Sequence, residues 1–159
     1  MSNYNPEKII WTEDDFIGMN WEGARIRACC FNKKLEIAFD IDYVFERVKS
    51  KKSDKYSKFW IAPCTLVFEN VYEIYSDFNH LHPTMTYISR NRPRSPENLK
   101  SLDRGPEYDW YIHYDGGLFT FTSVGYKLYV RRDPVATSRK FLKMEERGDV
   151  SFNRAYEAY

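Results

Sequence analysis

Residues 24–45, ARIRACCFNKKLEIAFDIDYVF, alternate apolar and polar positions on both sides of a short polar break. That is the pattern of two half-buried strands joined by a turn. With a two-residue loop at Asn32-Lys33, Cys30 falls opposite Leu35, Ala28 opposite Ile37 and Ile26 opposite Phe39. One face of the hairpin is then apolar. The other pairs Cys29 with Glu36, Arg27 with Ala38 and Arg25 with Asp40, so opposite charges meet across the strands. In this register the acidic row Glu36, Asp40, Asp42 and Glu46 is half of a salt-bridged exterior.

The later pattern predicts more strands. Residues 59–68, FWIAPCTLVF, are apolar at both parities, as in a strand covered on both sides. Pro63 cannot donate to a ladder and marks a bulge or a local edge. VYEIYSDF alternates less cleanly, as a half-exposed strand does. YDWYIHYDGGLFTFTSVGYKLYVRR reads as a three-stranded meander with turns at Gly116-Gly117 and Val124-Gly125. Its second face would gather Tyr111, His113, Thr120, Thr122, Lys127, Tyr129 and Arg131. Helix signals are few. Thr12 with Asp15 starts one or two turns that Gly18 ends, and residues 134–148 read as a helix stopped by Gly148. Residues 49–58 and 90–106 read as loops, the second carrying Arg90, Arg92 and Arg94. These elements predict a mostly β, single-domain chain over 1–159. Its fold is an antiparallel rolled sheet or sandwich of about eight strands with a short N-terminal and a C-terminal helix. The termini and the 90–106 loop are its expected flexible parts.

Composition changes that picture in three ways. The 18% aromatic content fits a pleated-sheet protein. A formal net charge of +1 argues against nucleic acid as the main partner, because phosphate neutralisation needs a basic excess. Cys29, Cys30 and Cys64 make an odd count with no CxxC, which suggests reduced thiols and a cytoplasmic setting. No signal peptide or apolar span of about 20 residues is read, so no membrane role is expected.

Candidate chemistry is sparse. Asp40 and Asp42 stand at i and i+2, about 6.5–7 Å apart on one strand face, a separation that suits an inverting acid and base. They carry the hydrolase alternative. Tyr111, His113, Thr122 and Tyr129 carry a small-molecule alternative. His80 and His82 have a spacing that some metal sites use, but no carboxylate or thiolate accompanies them, so no metal site is assigned. Cys29, near Arg25 and Arg27, is a nucleophile candidate only if those cations lower its pKa. Phosphate loops, GxSxG and HExxH are absent from the sequence, and no cofactor is expected. Arg90, Arg92, Arg94 and the 111–131 face with Arg131 are the expected partner contacts.

The segments MNWEGARI, LEIAFDIDYVFE, FWIAPCTLVFENV and GYKLYVRR, in that order, resemble a family of small bacterial proteins without assigned activity. The resemblance covers Met19 to Phe68 and again about 110–131. Some members are similar to immunity proteins of bacterial toxin systems. The resemblance implies a compact β-rich fold, a non-catalytic protein-binding role with a toxin-like partner, and no catalytic residues. At the first motif Glu22-Gly23 stands where the family pattern has His-Asp. An activity that depended on that pair would be missing here.

Overall fold

The computed structural model describes residues 4–77, 82–95 and 105–157. The described chain is an antiparallel β-sandwich. The strands are β1 (Ile10–Thr12), β2 (Arg25–Phe31), β3 (Ile37–Lys49), β4 (Tyr56–Glu69), β5 (Tyr72–Ser76), β6 (Met85–Arg90), β7 (Tyr108–Tyr114), β8 (Gly117–Ser123), β9 (Gly125–Val130) and β10 (Val135–Thr137). A larger sheet runs β1-β9-β4-β3-β2, with β10 alongside β4. A smaller sheet runs β5-β8-β7-β6. The sandwich expected from the alternation is what forms.

The two sheets meet through aromatic residues. Phe68 on β4 has ring centroids of Phe39 and Tyr126 at 6.3 and 5.5 Å in its own sheet. Across the gap it meets Phe121 at 4.6 Å and Trp110 at 5.1 Å. These offset and edge-on contacts are the preferred aromatic geometries. The inward positions of β3, Ile37, Phe39, Ile41 and Tyr43, belong to this core, as their parity predicts.

Pro63 sits where β4 changes neighbours. From Cys64 onward β4 pairs with β9, and up to Ile61 it pairs with β10. No ladder bond from its nitrogen is needed in that gap, and its carbonyl accepts from Arg131 N at 3.0 Å. It is a local edge inside a central strand.

Four elements differ from the sequence reading. The β2–β3 loop spans residues 32–36, and Phe31 pairs with Ile37 and Arg25 with Asp42. The Asn32 side-chain oxygen accepts from the backbone of Lys34 and Glu36, and Leu35 takes a φ of 58°. A bulge at Arg27 absorbs the remaining offset. The 49–58 loop is a tighter connection, because Lys49 and Tyr56 already pair. The meander breaks at Val124: β8 pairs with β5 and β7, whereas β9 pairs with β1 and β4 in the other sheet. The C-terminal helix shrinks to α1, Met144–Arg147, because Val135–Thr137 joins the larger sheet first. The N-terminal turn stands as expected. Glu13–Gly18 is a 3-10 helix, and Asp15 accepts from Thr12 N at 2.9 Å.

Candidate functional site

Asp40 and Asp42 both point to the outer face of the larger sheet, yet both are fully buried. The chain after β10 folds back over that face. Leu142 fills a small apolar cluster with Val44, Phe59 and Ile61. Arg147 then enters between the carboxylates, giving Nε to Asp42 at 2.7 Å and Nη2 to Asp40. Asp40 also accepts from Arg131 Nη2 at 2.7 Å and from Ser151 N at 3.1 Å. Asp42 accepts from Arg27 Nε at 2.9 Å. Thr65 donates to the Asn153 carbonyl, and Arg154 reaches Glu36 at 2.8 Å.

All four carboxylate oxygens are therefore engaged. The exterior ion pair between Asp40 and Arg25 does not form; Asp40 and Asp42 are interior while Glu46 stays exposed, and their partners are Arg27 from β2 and Arg131, Arg147 and Ser151 from the C-terminal third. Such a network is costly to desolvate and holds only when every member is paired. It leaves neither an accessible carboxylate nor room for a water between the two. What it does is fasten the C-terminal segment down.

The residues expected from the sequence to meet a partner divide between the two sheets. Arg131 and Tyr129 lie on the larger sheet, Arg131 inside the network and Tyr129 beneath the Arg154 guanidinium at 5.7 Å. Tyr111, His113 and Thr122 lie on the outer face of the smaller sheet. They do not converge with Tyr129, because the chain changes sheets between them. Thr122 is itself buried, donating to Asp109 at 2.8 Å. Of the loop arginines, Arg90 stacks over Phe16, Tyr108 and Trp110 and pairs with Glu13. Arg94 holds Asp109 at 2.6 Å, and Arg92 is exposed. Residues 96–104 of that loop lie outside the described residues, as does His80. Among the described residues no group of three or more His, Cys, Asp or Glu is placed to hold a metal.

Around Tyr111 and His113 the smaller sheet builds a continuous face. β6 sets Tyr87 opposite His113 and Ser89 opposite Tyr111, and β5 sets Tyr75 opposite Thr120. The Tyr87 and His113 rings stack at 3.9 Å. Ser89 Oγ lies 3.2 Å from His113 Nε2. Further along the same strand, Asp109 is engaged by Arg94, Asn91 and Thr122. Burial lowers the pKa of His113, which favours the uncharged ring. Tyr75 and Tyr87 are 63% and 53% exposed. The sequence reading missed these two and Ser89, because pairing with β7 and β8 is set by the sheet and not by spacing along the chain.

Cys29 moves opposite to the nucleophile expectation. Its pKa is raised by burial and by Cys30 next to it. No described helix is long and apolar enough to cross a membrane.

Compared with known protein families, curated proteins and solved structures, the chain finds no match among any of the three.

Proposed function

We propose that this protein is a binding module that docks a folded protein on the outer face of its smaller sheet. One observation carries the reading. That face presents Tyr75, Tyr87, Tyr111, His113, Thr120 and Ser89 on paired strands, with Asn91 just past β6, and both Tyr75 and Tyr87 are more than half exposed. Tyrosine with short polar residues is the palette of protein-recognition surfaces. The rings give contact area at small entropic cost, and the short side chains give adaptable hydrogen bonds. Placement on hydrogen-bonded strands pre-organises the face, which lowers the cost of association. The fully engaged Asp40–Asp42 pair supports a non-catalytic role.

Neutralisation of a toxin, as an immunity protein performs it, is the concrete version of this reading. It rests on the motif resemblance alone.

The test is a paired capture from lysate of the source cells. Wild type and a Tyr75→Ser/Tyr87→Ser/Tyr111→Ser variant serve as baits, beside a control variant carrying three serines on exposed positions of the larger sheet. A stoichiometric protein held by wild type and control but lost by the triple variant supports the reading. A partner held equally by all three refutes it.

A further inference from the structure

A second site lies where β3 and β4 of the larger sheet project past the smaller one, and it shares no residue with the face described above. There β3 and β4, 13 and 14 residues long, outrun the opposing strands of at most seven. The N-terminal segment folds over the exposed inner surface. The Tyr4 ring lies 6.1 Å from both Phe45 and Trp60. Trp11 lies 6.3 Å from Phe45, inclined by 49°, and Tyr43 meets Phe45 edge-on at 4.8 Å. Between them is a cleft of about 210 Å³ lined by Tyr4, Trp11, Met19, Asn20, Tyr43 and Phe45.

We propose that this cleft binds an alkylated ammonium head group, a quaternary or methylated amine, against the faces of Tyr4, Trp11, Tyr43 and Phe45. Three observations lead there. The volume lies below the roughly 300–1,000 Å³ of drug-sized sites, so the occupant is a single compact group. Every lining side chain is uncharged. A primary ammonium would lose its water there without a carboxylate in contact, whereas methyl groups already shield the charge of a quaternary one and pack on the rings. Finally, the ring cluster already attracts cations of its own chain. Lys8 Nζ sits 5.0 Å above Trp11 and Lys58 Nζ 4.6 Å above Trp60. Of these two rings Trp11 itself lines the cleft, and Trp60 stacks against Tyr4, which does.

The surrounding charges nearly cancel. Glu7 and Glu46 lie close enough to Tyr4 to add to the upward pKa shift that burial causes. Lys8 is paired with Asp15, Lys58 sits on Trp60 and Arg47 is near Tyr43. Selectivity therefore rests on the rings and not on net charge.

The experiment titrates the full chain with choline, with the neutral isostere in which carbon replaces the nitrogen, and with a trimethyllysine peptide. Aromatic NMR signals and calorimetry are the readouts. Choline is expected to shift the Trp11 indole signal, leave that of Trp21 in the core unmoved, and bind about tenfold more tightly than the isostere. Trp11→Leu and Phe45→Leu, each checked for an unchanged melting profile, are expected to abolish that preference. A peptide that outcompetes choline identifies a methylated protein as the source; the reverse order identifies a free small molecule. Equal binding of choline and isostere, or no shift from any ammonium, overturns the proposal.

Discussion

The two sheets of the sandwich share one aromatic core yet treat their outer faces in opposite ways. The larger sheet turns Asp40, Asp42, Thr65 and Arg131 outward, then roofs them with its own residues 138–157, so β3 is apolar-packed on one side and ion-paired on the other. The smaller sheet turns Tyr75, Tyr87, Tyr111 and His113 outward, and the two tyrosines of β5 and β6 stay more than half exposed. A polar row on a strand therefore says nothing by itself about water. What separates the faces is whether another segment carries complementary charge to cover it. The acidic pair meets Arg131 and Arg147 from 91 and 107 residues away. The tyrosine face meets no such segment among the described residues.

If that contrast is right, substitutions on the two faces should differ in kind. The largest effect is expected at Arg147→Ala, which leaves two buried carboxylates short of a cation and should cost about 3–5 kcal/mol in urea unfolding. Leu142→Ala, which opens the small apolar cluster under the same roof, should cost about 2–5 kcal/mol. A loss below about 1 kcal/mol at Arg147 would mean that the roof is not fastened as described. On the smaller sheet, Asp109→Asn removes a partly exposed pair with Arg94 and should cost under about 1 kcal/mol. Tyr87→Ser and Tyr111→Ser should each change stability by no more than about 0.5 kcal/mol while weakening the partner.

Acid titration sharpens the contrast further. Arg94 holds the Asp109 carboxyl below the usual range, and Arg139 does the same for Glu146 beside the roof. A carboxyl whose folded pKa is depressed adds stability that is fully present above its unfolded pKa, about 4. That contribution is lost as pH falls from there through the lower folded value. Asp109→Asn and Glu146→Gln should therefore each flatten the fall in melting temperature below pH 4 and leave it unchanged between pH 6 and 8. A deficit relative to wild type that persists undiminished in acid would contradict the assignment.

Much of this architecture is legible in the sequence, and its limits have identifiable causes. Alternation along β3 places Ile37, Phe39 and Ile41 inward, and the double-sided run in β4 predicts a covered strand; both hold because parity is a local property. The β2–β3 register does not follow, because a two-residue loop also matched charge with charge. The true loop depends on Asn32 bonding its own backbone and on Leu35 adopting a positive φ. The passage from β8 to β9 is invisible for a similar reason. Phe119, Phe121, Tyr126 and Leu128 point into the core whether the strands share a sheet or face each other. The candidate site suffers most. Parity identifies Tyr111 and His113, but Tyr129 groups with them only if the strands form a single meander, which they do not. Their real neighbours, Tyr87, Ser89 and Tyr75, come from strands whose pairing no spacing announces.

On the proposed reading the smaller sheet's outer face is the docking surface, while the larger sheet's outer face is closed by the protein's own chain. Oxidative footprinting of the protein, alone and bound to the partner it captures, tests this most directly. The account predicts strong labelling of Tyr75 and Tyr87 in the free protein, and their protection together with Tyr111 in the complex. Unchanged labelling of those three, with protection moved to Phe31 or the exposed Ile17, would contradict it.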